Sequence, residues 1–104
     1  MTKWVITDRT WALATGDEES TRIYAELREN GDLYLSGADS GPSVESTYGD
    51  WDYEYWLTVK AADVPAAFAA LLKHTFSSEK RLYWTELCQL MEGAGLKIEE
   101  GCWM

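Results

Sequence analysis

An α+β fold, an antiparallel β-sheet of four to five strands with two helices packed on one face, is predicted by three features of the sequence. Before residue 60 apolar and polar residues alternate, the period of half-buried strands. After residue 60 apolar residues recur every three or four positions, the period of amphipathic helices. A tight-turn signal, Asn30-Gly31-Asp32, separates two of the alternating runs at hairpin spacing. The 104 residues fit one domain, 1–104, and leave no room for a second. With 46% hydrophobic residues, six Trp and six Tyr, the chain can build a core without disulfides or a structural metal.

The elements follow in order. Residues 4–7 and 11–14 can supply a further strand or two. Ile23, Ala25 and Leu27 alternate with Tyr24, Glu26 and Arg28, and Leu33 and Leu35 with Asp32, Tyr34 and Ser36, so 22–36 reads as a β-hairpin. Residues 36–42 carry two glycines without the spacing of a phosphate loop and read as a shaped turn. Residues 53–59 alternate again. Tyr53, Tyr55, Leu57 and Val59 fall on the core side together with Trp51, and Asp50, Asp52, Glu54 and Trp56 fall outside. Asp63 is a candidate N-cap with Pro65 in the first turn, followed by the stripe Val64, Phe68, Leu71 and Leu72. Ser77 or Ser78 can cap a second helix bearing Tyr83, Leu87, Leu90, Met91 and Ala94, ended by Gly93 or Gly95. Residues 96–99 read as a last short strand.

Charge is the most informative feature. Eighteen acids against nine bases give −9, a sign that opposes binding to nucleic acid or to an anionic membrane. Residues 1–60 hold twelve acids and five bases, and no Lys or Arg lies between Arg28 and Lys60. Glu29, Asp32, Asp39, Glu45, Asp50, Asp52 and Glu54 fall in that interval and are expected to form a single-sign field that steers a basic partner. Strand parity places Tyr24, Tyr34 and Trp56 outward beside Glu26, Asp32 and Glu54, an arrangement of rigid aromatic anchors among polar groups that suits a protein interface. The residues expected to bind a partner are therefore Tyr24, Glu26, Asp32, Tyr34, Asp39, Asp50, Asp52, Glu54 and Trp56.

Signals for catalysis are missing. His74 stands near a helix end without a nucleophile motif, and Asp50, Asp52 and Glu54 resemble the start of a calcium loop whose sixth and twelfth positions hold Tyr55 and Ala61 in place of Gly and Glu. No catalytic residue, metal or cofactor is expected. The N-terminus has no apolar signal region, no stretch is long enough to span a membrane, and Cys88 and Cys102 lack metal-type spacing; reduced thiols in a cytoplasmic protein are the expectation.

Several segments taken together carry a family resemblance: Leu27-Arg28-Glu29-Asn30-Gly31-Asp32-Leu33, Asp39-Ser40-Gly41-Pro42, Gly49-Asp50, Asp52-Tyr53-Glu54-Tyr55, and Ala61-Ala62-Asp63-Val64-Pro65. Over residues 22–72, about half the chain, the sequence resembles small acidic bacterial proteins that look like immunity partners of polymorphic or contact-dependent toxins. The resemblance implies an antitoxin that binds and inhibits a basic toxin, such as a nuclease, and it brings no catalytic residue with it. Three alternatives stand beside this reading: an acidic mimic of nucleic acid of the anti-CRISPR or anti-restriction kind, a small acid-base enzyme using Asp39 and Asp50, and a protein whose aromatic face buries a copy of itself.

Overall fold

A computed structural model describes residues 2–49, 51–79 and 81–103, without the side chains of Tyr48 and Trp103. Five strands, β1 (Thr2–Ala12), β2 (Glu18–Leu27), β3 (Leu33–Ser40), β4 (Asp52–Val59) and β5 (Ile98–Trp103), form one antiparallel sheet in chain order. Helix α1 (Pro42–Tyr48) joins β3 to β4. A 3-10 turn (Ala61–Asp63), α2 (Val64–Ser77) and α3 (Trp84–Gly93) occupy the link from β4 to β5. Antiparallel neighbours need only a short turn. This link is long because it carries the layer that covers one face of the sheet.

The same turn is used twice. Leu13 N–H donates to the Asp17 carbonyl and Gly16 N–H to the Leu13 carbonyl; Arg28 N–H donates to the Asp32 carbonyl and Gly31 N–H to the Arg28 carbonyl. Gly16 and Gly31 take φ of 92° and 90°, where a side chain would strain the backbone, whereas among the described residues none other than glycine has positive φ. Asn30 thus supplies no positive φ. It contributes its side chain instead, which accepts from Asp32 N–H at 3.0 Å, as Thr15 accepts from Asp17 N–H.

The core lies between the β3–β5 part of the sheet and the helices. Leu57 and Val59 on β4 are fully enclosed. Val59, Ala67 on α2 and Met91 on α3 form the centre, with Leu33, Val64, Leu71, Leu87, Leu96 and Ile98 packed around them. The predicted stripe on α2 is rotated: Ala67 faces the core and Phe68 is exposed, because an alanine lets the helix lie close to the sheet where a phenyl ring would hold it off. Tyr83, expected on the second helix, precedes α3 and is exposed, whereas Cys88 on α3 is buried. Asp63 takes the N-cap position of α2 with Pro65 in the first turn, as expected, but no side-chain cap is formed there. It also belongs to the 3-10 turn, and Ser77 and Ser78 end α2 rather than begin α3.

Strand limits differ from expectation in several places, and β2 begins at Glu18, four residues before the expected hairpin. Residues 2–12 form one strand, interrupted by a bulge between Val5 and Thr7. Residues 36–40 continue β3, and the turn expected there is replaced by α1, entered through Gly41 at φ 134° and left through Gly49 at φ 80°. The last strand starts at Ile98, later than expected, and runs to Trp103. The molecule measures 45 × 32 × 22 Å with a radius of gyration of 15.0 Å, above the roughly 13 Å of a compact chain of this length. The excess reflects helices that cover only part of the sheet.

Candidate functional site

Backbone register sorts the predicted residues by face. Cross-strand rows on the face away from the helices run Lys3, Glu26, Tyr34, Thr58, Glu99 and Val5, Tyr24, Ser36, Trp56, Gly101. The next row contains Asp8, Arg22, Ala38 and Glu54. Tyr24, Tyr34, Trp56 and Glu54 share a shallow depression of about 300 Å³ with Lys3 and Ser36. This is the grouping that strand parity predicts for the three rings, Glu26 and Glu54. The rings are half-buried. Lys3 Nζ lies 4.7 Å from the centroid of Tyr24 and the Arg28 guanidinium 4.2 Å from that of Tyr34. Trp56 lies against Gly101, where an added Cβ would come within 2.4 Å of the indole.

The open face is consequently not a single-sign field. Lys3, Arg22 and Arg28 come from β1 and β2 or just beyond them, and pairing sets them among Asp8, Glu26 and Glu54; Arg22 bonds Asp8 at 3.2 Å. A charge run in one strand says nothing about the charges its neighbours bring.

Asp32 does not lie on the open face. It is buried, with Oδ1 accepting from Ala61 N–H at 2.8 Å and Oδ2 accepting from the Asn30 amide at 3.2 Å. Lys60 Nζ is 3.9 Å from Oδ2 and 3.2 Å from Glu99. Its carboxylate ties the β2–β3 turn to the turn before α2, a structural task that removes it from any partner surface. Asp39 is also displaced from the expected field. It faces the helix side, where its Oδ1 accepts the Tyr55 hydroxyl at 2.9 Å. Tyr55 reaches it across Gly37, whose missing Cβ would otherwise lie 2.0 Å from the ring. Burial, and next the charge of Asp39, pushes the Tyr55 hydroxyl well above its ordinary range, so it acts as a fixed donor.

Of the acids that remain from the expected field and are described, Glu45, Asp52 and Glu54 lie toward one end of the sheet and Glu29 at the other. Segments 12–20 and 39–54 hold Asp17, Glu18, Glu19, Asp39, Glu45, Asp50, Asp52 and Glu54 and not one Lys or Arg. The register Ser20, Ser40, Asp52 brings the two segments side by side. Glu19 fastens them: buried, it accepts from Ser43 N–H at 2.8 Å at the start of α1, and hydrogen bonding to Ser43 lowers its pKa from the ordinary 4.5. Glu18, Glu45, Asp52 and Glu54 are exposed, Glu54 in the cross-strand row that holds Arg22. Asp50 lies outside the described residues. Trp51, expected on the core side, precedes β4, escapes its alternation, and is 42% exposed. Sequence reasoning missed it, along with Glu18, because the β1–β2 turn that delivers Glu18 was not recognised.

Burial and the nearby Glu100 push the Cys88 thiol up to about 12, far from a nucleophilic thiolate at neutral pH. Cys88 and Cys102 are unbridged, the first buried and the second exposed. Among the described residues no three His, Cys, Asp or Glu side chains are placed to hold a metal ion. No described helix is long and apolar enough to cross a membrane. Comparison of the chain with family models, with curated proteins and with solved structures returns no match.

Proposed function

We propose that this chain is a cytoplasmic inhibitory binding protein of the toxin-immunity type, without enzymatic activity, and that it neutralises a basic protein through the acidic end of its sheet. A nuclease toxin is the partner class that suits it, because an enzyme that grips phosphates must expose Lys or Arg, and carboxylates set against that surface compete with its substrate. One observation carries the reading: Glu18, Glu45 and Asp52 are exposed, and so is Trp51, in two segments that pairing sets side by side and that contain no base. Trp is the residue that most often anchors an interface, and a rim of one charge sign speeds encounter, up to about 10⁸–10⁹ M⁻¹s⁻¹ at low salt.

The anchor moves from where parity alone would put it. Tyr24 and Tyr34 already carry cations over their rings, and of the rings described as exposed, which include Trp4 and Trp11, Trp51 is the one that lies within the base-free segments. An acidic mimic of nucleic acid is the second reading, favoured by Asp52 and Glu54 standing two residues apart on one strand face, ~6.7 Å from each other. Capture from the native host with the wild-type chain and with a Glu45→Lys/Asp52→Lys variant separates binding at this end from binding elsewhere. Loss of a basic protein with the variant supports the reading; an unchanged set of retained proteins opposes it.

A further inference from the structure

On the helix side two adjoining cavities remain open over β1 and β2. The first, about 470 Å³, is apolar and runs between the sheet and α2 and α3, with Ile23, Ala25, Leu35, Leu71 and Met91 in its walls. The second, about 630 Å³, continues along β1 and β2 and holds Arg9, Arg81, Thr21 and Asp39. They share Ile6, Ile23, Leu82, Tyr83 and Trp84, so they form one groove with an apolar end and a polar end. Each is of the size that small ligands occupy.

The charge of the polar end is opposite to that of the molecule. A chain of net −9 places two arginines and one acid there, and the acid, Asp39, already accepts the Tyr55 hydroxyl. The ion pairs formed among the described residues join Arg22 to Asp8 and Lys60 to Asp32 and Glu99, and use neither arginine. Each guanidinium rests near a ring instead, Arg9 at 5.9 Å from Trp11 and Arg81 at 5.3 Å from Tyr83. A ring orients a guanidinium without neutralising it, leaving its fork of N–H donors able to take a carboxylate.

We propose that this groove binds a free, single-chain aliphatic carboxylate, its hydrocarbon in the apolar cavity and its carboxylate between Arg9 and Arg81. Sugars and nucleotides need polar partners along their length, and the apolar end offers almost none. A cationic amphiphile would add positive charge beside two arginines that Asp39 alone does not balance. The site borders the acidic end of the sheet at Asp39 but rests on the two arginines and the apolar cavity, not on the exposed acids of that end.

The test is isothermal titration of the full chain with dodecanoate and with dodecyltrimethylammonium, both below their micelle concentrations, backed by tryptophan fluorescence, since Trp84 lines both cavities. The expected result is saturable 1:1 binding of the anion, at least tenfold tighter than the cation despite the net charge of the protein. An Arg9→Gln/Arg81→Gln variant should lose at least tenfold. Ile6→Glu places a carboxylate where the cavities join; Ile6 is 57% exposed, so this variant should fold and also lose binding. Absence of saturable binding, equal or tighter binding of the cation, or an affinity unmoved in both variants overturns the proposal. Binding to anionic phospholipid vesicles without binding of monomeric dodecanoate would assign the groove to a membrane surface and overturn it equally.

Discussion

Replacing Asp32 with alanine should destabilise the fold, because this carboxylate links two turns distant in sequence. Its Oδ1 takes Ala61 N–H at 2.8 Å in a buried setting, and a hydrogen bond to a charged group contributes about 1.5–3 kcal/mol. The Asn30 amide at 3.2 Å adds about 0.5–1 kcal/mol. Lys60 is half exposed and 3.9 Å away, so its pairing is screened and contributes at most about 0.5 kcal/mol. The sum for Asp32→Ala is about 2–4 kcal/mol. Asp32→Asn retains one acceptor for Ala61 and should cost about half as much, whereas Lys60→Met should stay within about 0.5 kcal/mol of wild type. Urea unfolding followed by tryptophan fluorescence reads the difference; with a slope of about 1.5 kcal/mol/M, a loss of 3 kcal/mol moves the midpoint by about 2 M. An Asp32→Ala variant within about 0.5 kcal/mol of wild type would refute the clamp and return Asp32 to the list of partner-facing acids.

Gly37→Ala should drive Tyr55 off Asp39 and cost about 1–3 kcal/mol, seen as a lower unfolding midpoint with a changed near-ultraviolet circular dichroism spectrum; a wild-type spectrum and midpoint would contradict the close approach. The lowered pKa of Glu19 makes its contribution present above 4.5 and lost as pH falls through its folded value. Stability should therefore decline on acidification below about pH 4.5, and Glu19→Gln should flatten that part of the stability profile; an unchanged slope would remove Glu19 from the α1 clamp. Cys102 is exposed and Cys88 buried with a raised pKa, so a thiol reagent at pH 7.5 should modify one cysteine quickly and the second only on unfolding, with two fast thiols as the contrary result.

Much of the sheet was legible because alternation and pairing share one period. Ile23 to Leu27, Leu33 to Leu35 and Tyr53 to Val59 face as their pattern implies, and the outward placement of Tyr24, Tyr34 and Trp56 follows from it. Two local signals were present and unread. Thr15-Gly16-Asp17 repeats the Asn30-Gly31-Asp32 turn fifteen residues earlier and marks the first hairpin. Gly41-Pro42 followed by Gly49 is a helix entry and exit, although its polar content looked like a loop. What local pattern could not give were the consequences of tertiary pairing. The same unbroken acid run contains Asp32, buried under Ala61, and Asp52, exposed at the opposite end of an eight-residue strand, and only the register tells them apart. Phe68 and Ala67 are neighbours on α2; close approach of the helix to Val59 selects the smaller for the core.

Differential capture tests the central claim most directly. The wild-type chain, the Glu45→Lys/Asp52→Lys variant and a Glu29→Lys control, reversed at the far end of the hairpin, are each offered to extract of the native host at low and moderate salt. At least one strongly basic protein should be held by the wild-type chain and by the control, released by added salt, and absent with the double variant. Partners that are acidic, or that all three chains retain alike, would contradict a docking surface at this end of the sheet.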